Sequence, residues 1–164
     1  MSDDFDIHPP YPDDLPAIIA LWRERMMIIS QSAPHLRRHM QAEADYLSAL
    51  RHWLDTRTAV ILCAKKNHVV LGYIITIHRD DKMVIMDMAL DAHAYHRGLA
   101  KALFLAVQTS PMSQPIIIRV ARYYAVEQAF WRGLGAQEWT NHTWETNPLY
   151  QWMILSSDPP LKPI

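Results

Sequence analysis

The feature that most constrains this chain is an apolar strand that passes through a glycine turn into an apolar helix. Ile85-Met86-Asp87-Met88-Ala89-Leu90 reads as a buried strand, and residues 98–104 read as a helix beginning near Gly98. A strand that feeds a helix N-terminus through such a turn offers unpaired backbone N–H groups and the positive end of the helix dipole to an anion. The rest of the sequence has to supply a fold that holds this unit.

The strand closes a meander. Residues 59–65, 69–78 and 83–90 are apolar runs separated by two polar turns, Lys66-Asn67-His68 and Arg79-Asp80-Asp81-Lys82. Short polar turns between such runs predict antiparallel neighbours. Gly72 lies inside the second run and marks a bulge. Before the meander the period is helical. Leu15, Ile18, Ile19, Trp22, Met26 and Ile29 recur at three- and four-residue steps, behind a short first strand at residues 5–8 and a turn in which Asp13 or Asp14 can cap the helix. A second helix is predicted over residues 35–56, with Leu36, Met40, Leu47, Leu50 and Leu54 inward.

After the helix at Gly98 comes a loop over residues 110–115. The β-branched run 116–121 follows, reached by a helical crossover and so parallel to the strand before it. A helix over residues 126–134 stops at Gly135, and strands follow at 136–139 and 150–155. The predicted order is β-α-α-β-β-β-α-β-α-β-β. It describes an α/β (α+β) fold with a mixed, mostly antiparallel sheet and helices on both faces. Residues 1–157 form one domain in this reading, and the Pro-rich residues 158–164 a flexible tail.

Composition narrows the partners. The net charge of −1 over 164 residues argues against nucleic acid. No apolar run approaches the ~20 residues of a membrane span. The acidic start (Asp3, Asp4, Asp6) is not a secretory leader. Cys63 is the single cysteine, in an apolar run, and reads as a buried structural thiol in a reducing, cytoplasmic setting. Nine histidines are dispersed along the chain. His35 and His39 share an i,i+4 spacing without the Glu of a metalloprotease pattern, so no metal is expected.

The element order and four stretches together resemble the GNAT acyltransferase superfamily, over roughly residues 5–156. The stretches are the opening Ile7-His8-Pro9-Pro10-Tyr11-Pro12-Asp13-Asp14-Leu15; Val69-Val70-Leu71-Gly72-Tyr73; Met88-Ala89-Leu90-Asp91 with Tyr95-His96-Arg97-Gly98-Leu99-Ala100-Lys101; and Ala129-Phe130-Trp131-Arg132-Gly133-Leu134-Gly135-Ala136. The resemblance implies an N-acetyltransferase using acetyl-CoA as cosubstrate, without metal. The backbone of Met88, Ala89 and Leu90 would pair with the pantetheine arm. The pyrophosphate would lie against Tyr95, His96, Arg97, Gly98, Leu99, Ala100 and Lys101. The acceptor would be an amine-bearing small molecule or protein.

The chain departs from the family pattern at identifiable places. Tyr95 stands at the Gln/Arg position, and His96 at a position that is usually small. Trp131 replaces the Tyr that often protonates the leaving thiolate, and Tyr124 replaces an Asn. The catalytic candidates are therefore Asp87 as base and Tyr124, or its neighbour Tyr123, as acid. Against these stand a hydrogen-bonded strand carboxylate and a packing aromatic. The altered positions also fit a catalytically impaired CoA-binding sensor or interaction protein. Trp139, Trp144, Tyr150 and Trp152 read as core, as an acceptor-pocket wall or as a homodimer surface.

Overall fold

The computed structural model describes residues 4–92, 94, 98–108, 114–145 and 147–156. The elements are β1 (Asp6–His8), α1 (Leu15–Ser32), α2 (Glu43–Thr56), β2 (Ala59–Lys66), β3 (Val69–Arg79), β4 (Lys82–Leu90), α3 (Leu99–Val107), β5 (Ile116–Ala121), α4 (Ala125–Gly133), β6 (Gln137–Glu138) and β7 (Tyr150–Leu155). They follow the expected order and form one seven-stranded sheet, β1-β2-β3-β4-β5-β7-β6. Among the described residues, the pairing of β4 with β5 is parallel and the other strand pairs are antiparallel. The tail at residues 158–164 and most of the loop before β5 lie outside the described residues.

The meander is tight because its turns are two residues long. Asn67 and His68, and again Asp80 and Asp81, have positive φ. That backbone twist matches the strands of a hairpin, and Asn and Asp tolerate it better than most residues. The bulge expected at Gly72 falls one residue away. The register slips between Ala64 and Lys65, leaving Leu71 unmatched on β3. Gly72 has a different task. A Cβ there would lie 2.6 Å from Leu90 Cδ2, 3.2 Å from Leu99 Cδ2 and 3.2 Å from the Ala89 carbonyl oxygen. Its missing side chain lets β3, the end of β4 and the start of α3 meet.

The second helix is corrected by the structure. It begins at Glu43, and Pro34–His39 is a separate 3-10 turn. The charges explain the break. Arg37, Arg38 and His39 suit the C-terminal end of one helical segment, and Glu43 and Asp45 suit the N-terminal end of the next. Leu36 and Met40 therefore do not belong to α2. His35 and His39 sit on a three-residue period, which takes an i,i+4 pair off a common face.

The sheet separates two apolar layers. On one face Ile74, Ile85, Met88, Leu90, Ile118 and Met153 pack with Leu99, Leu103 and Phe104 of α3 and Trp131 of α4. On the other, Ile61, Cys63, Tyr73, Ile75 and Ala89 pack against Ile18, Trp22, Met26 and Ile29 of α1 and Tyr46 and Leu50 of α2. No helix of the described residues is long and apolar enough to cross a membrane.

Candidate functional site

β4 and β5 pair over three rungs, Met83 with Ile116, Val84 with Ile117 and Ile85 with Ile118, and then part. The parting coincides with a bulge. The β3–β4 register jumps from Ile75↔Asp87 to Thr76↔Ile85, so Met86 is the extra residue. Its carbonyl is taken by a side chain, the Arg119 Nε donating at 2.9 Å. Beyond the bulge, the Asp91 N–H donates to Leu71 O at 2.7 Å, which fixes the phase of the ladder. Hydrogen-bonded pairs recur every second residue in an antiparallel ladder. Ala89 and Asp87 therefore bond to β3, and Met88 and Leu90 turn their N–H and C=O toward the gap. Among the described residues no strand pairs with Met88–Leu90 on that side.

The gap leads to α3. Gly98 is its N-cap residue, with φ 74° and ψ 13°, and among the described residues beyond its chain neighbours no heavy atom lies within 4 Å of where its Cβ would be. The first helical bond is Ala102 N–H to Gly98 O at 3.0 Å. The amides of Leu99, Ala100 and Lys101 come before it, where a helix has donors without helical acceptors. Leu99 and Ala100 are buried, and the Lys101 side chain is exposed. Tyr95, His96 and Arg97 lie outside the described residues.

Asp87 is buried with 1% of its surface exposed. One oxygen pairs with Arg25 Nη1, and the other accepts the Tyr46 hydroxyl at 2.5 Å and lies 3.3 Å from the Tyr73 hydroxyl. Tyr46 spends its proton on Asp87, so its oxygen is left to accept from Tyr73 at 2.8 Å. Arg25, on α1, also grips Glu127 of α4 with a two-pronged bond, Nε to Oε2 at 2.9 Å and Nη2 to Oε1 at 2.7 Å. Glu127 Oε1 accepts the Ala121 N–H at 3.0 Å as well. One guanidinium thus ties β4 to the end of β5 across the gap. Burial works against the charge on Arg25, yet the carboxylates of Glu127 and Asp87 outweigh it and hold the group well above the ordinary arginine value. Burial, then the charge of Asp87, pushes both Tyr46 and Tyr73 well above the ordinary phenol value, so both stay protonated as donors.

Sequence reasoning singled out Asp87 and missed Arg25 and Glu127. A signal existed. Arg25 shares the buried face of α1 with Ile18, Trp22 and Ile29, and Glu127 precedes the buried Trp131 by one turn. A charge on an apolar stripe needs a partner.

Tyr124 sits at the N-cap of α4, half-buried against the α1 and α2 layer. Tyr123 is exposed, with its ring edge-on to His35 at 6.1 Å. Trp131 is turned into the opposite layer, edge-on to Phe104 at 5.5 Å, so its indole is core. The crowded C-terminal aromatics divide. Trp139, Trp144 and Trp152 form a small cluster with Val84 and Ile117. Tyr150 and Trp152 also border a cavity of about 220 Å³ beside Met86 and Arg119.

Among the described residues, one group of side chains has metal-ligand spacing: His8, Asp14 and Cys63, with ligand atoms within 4.8 Å of one another. It already holds a cation, the Lys65 ammonium, 2.8 Å from Asp14 Oδ1. Burial would raise the Asp14 carboxyl, but Lys65 and the Tyr11 N–H outweigh it and hold it below its usual value. Burial and the Asp14 charge push the Cys63 thiol up to about 11. The set is a filled ion-pair cluster with an unreactive thiol.

Comparison with known proteins places this geometry in a fold family. No protein-family profile and no curated protein sequence matches the chain. Solved structures do. The PaiA N-acetyltransferase of Thermoplasma acidophilum, in complex with coenzyme A, superposes with a TM-score of 0.71 at 15% identity, covering 94% of this chain and 99% of that one. A GNAT-family acetyltransferase of Staphylococcus aureus Mu50 gives 0.71 at 14% identity, over 94% and 100%. An acetyltransferase of Thermus thermophilus gives 0.69 at 14%, over 95% and 97%. The chain has the GNAT acetyltransferase fold across its described length.

Proposed function

We propose that this protein transfers an acetyl or short acyl group from acetyl-CoA to a primary amine. The observation that carries the reading is the parted β4–β5 pair, whose free backbone edge at Met88 and Leu90 leads to the α3 N-terminus at Gly98. A pantetheine arm has two amides, and a strand edge with alternating outward N–H and C=O groups is complementary to them. A pyrophosphate is complementary to the amides of Leu99, Ala100 and Lys101 at a helix N-terminus, with Tyr95, His96 and Arg97 just before it in the sequence. Coenzyme A bound to the PaiA N-acetyltransferase supports the same cosubstrate here.

In the reaction the amine nitrogen bonds to the acyl carbon. The C–S bond breaks with its electron pair on sulfur, and the proton lost by nitrogen ends on the thiol. A backbone N–H of the parted strand is suited to stabilise the oxyanion that forms between these events. Both Asp87 oxygens are engaged in the core. That supports a positioning role, holding β4 at its bulge, and leaves deprotonation of the amine to water. Tyr124, at the α4 N-cap, is the candidate acid for the departing sulfur. Cytoplasmic residence is in keeping with a single, buried thiol.

A second reading, a CoA-binding sensor or interaction protein without turnover, is favoured by the enclosure of Asp87 and the burial of Trp131. One pair of experiments separates the two. Acetyl-CoA at a hundred times its dissociation constant should stabilise the fold by ~2.7 kcal/mol, a midpoint rise of roughly 5–11 °C for a domain of this size. Gly98→Glu should abolish the rise and Gly98→Asn, which tolerates positive φ, should keep it. Thiol release with an amine panel then marks the enzyme. No midpoint shift at millimolar acetyl-CoA would sink both readings.

A further inference from the structure

The cavity beside the bulge carries an unusual charge. Two guanidinium groups border it, Arg79 from the end of β3 and Arg119 from β5, against one carboxylate, Glu145. Among the described residues neither guanidinium has a carboxylate partner. Aromatic faces hold them instead. Arg79 lies over the Trp144 ring at 4.1 Å and Arg119 over the Tyr150 ring at 4.2 Å. Arg119 uses one of its five N–H donors on Met86 O, which leaves the four on its terminal nitrogens. Arg25, Arg23 and Lys65 by contrast are all ion-paired. Two stacked, unpaired guanidiniums on one cavity form a receptor for a planar or tetrahedral oxyanion.

The position adds a second argument. The bulge puts Met86 and Asp87 on the same face of the sheet, so the cavity opens on the α1 and α2 side where β4 leaves β5. An acyl group carried along the edge at Met88 and Leu90 would arrive there. At about 220 Å³ the cavity lies below the ~300–1,000 Å³ of drug-sized sites. Its occupant is small.

Resting on the acyltransfer reading above, we infer that the acceptor is a small primary amine that also carries an oxyanion, either a carboxylate or a phosphonate-type group. Arg119 and Arg79 bind the oxyanion, and the amine end faces the bulge. Glu145 suits the ammonium form in which such an amine arrives, and that form gives its extra proton to water before the nitrogen attacks. The oxyanion is a spectator in the bond changes given above.

The test uses amines paired so that the charge differs: β-alanine against β-alaninamide, and 2-aminoethylphosphonate against propylamine. Binding is read from quenching of tryptophan emission, since Trp152 borders the cavity. Turnover is read as thiol release, and the acetyl-CoA midpoint shift is recorded for each protein. The anionic member of a pair should bind at least tenfold better, and the carboxylate and phosphonate arms tell which oxyanion fits. Arg119→Gln should erase the preference. Arg79→Gln, at an exposed position whose guanidinium makes no bond to backbone, should reduce it about tenfold, the value of one charge-assisted hydrogen bond. Neutral amines binding as well as their anionic partners, or a preference untouched by Arg79→Gln, would overturn the inference. If no anionic amine binds while the acetyl-CoA shift persists, the acceptor class is wrong and the acyltransfer reading stands. If anionic amines bind without that shift, the oxyanion site holds and acyltransfer falls.

Discussion

Replacing Arg25 with methionine keeps most of the length of the side chain and removes its charge. Two carboxylates then lose their cation inside the core. Asp87 retains the Tyr46 hydroxyl, with Tyr73 behind it. Glu127 is worse placed, because it keeps only the Ala121 N–H at 3.0 Å and loses both guanidinium bonds. Breaking a buried pair from one side costs about 3–5 kcal/mol, so the melting midpoint should fall by roughly 6–20 °C at 2–4 °C per kcal/mol. Urea denaturation should show a lower midpoint with an unchanged slope. The pairing makes a sharper demand. Glu127→Gln should destabilise the wild-type protein, because Arg25 then holds one carboxylate fewer. In the Arg25→Met background the same change should stabilise, because it removes an unpaired charge and keeps an oxygen for Ala121. A loss below about 1 kcal/mol for Arg25→Met, well under the cost of breaking a buried pair, would refute the reasoning. So would a Glu127→Gln effect of the same sign in both backgrounds.

Gly72→Ala should cost about 1–3 kcal/mol, because the new methyl meets Leu90 and the Ala89 carbonyl. It should also weaken acetyl-CoA binding by shifting the edge at Leu90; full stability in urea with unchanged affinity would contradict this. Tyr46 and Tyr73 make the fold sensitive to alkali. Below pH ~10 both phenols are protonated in the folded and unfolded chains, and above it the unfolded chain loses their protons while the folded one keeps them. Stability should therefore fall with rising pH, by up to about 1.4 kcal/mol per unit for each tyrosine. Tyr46→Phe should flatten the decline between pH ~9 and ~11, the range around the ordinary phenol value, and parallel curves would count against the assignment.

The parts of the fold that follow local rules were legible in the sequence. Two polar turns set the meander, Gly135 ended α4, and the run from Ile116 announced a buried strand. The start of α2 was not, because Leu36 and Met40 continue a helical spacing across the break at residues 40–42. The site was half legible. The strand ending at Leu90 and the helix starting at Leu99 are local elements and could be read, while Tyr95, His96 and Arg97 between them lie outside the described residues. Arg25 meets Asp87 from 62 residues away and Glu127 from 102, a separation no periodicity reports. Asp87 was conspicuous as a charge among apolar neighbours, but only its partners show that it is enclosed.

The sheet is bounded by strands too short to recruit a neighbour. β1 has three residues and runs into Pro9 and Pro10, and β6 has two. Such rims resist edge-to-edge aggregation. Between them, at residues 86–90, the sheet keeps an open seam at its own centre. The chain-like cosubstrate proposed for this seam would complete the sheet from within, and its departure would reopen the seam without exposing either rim.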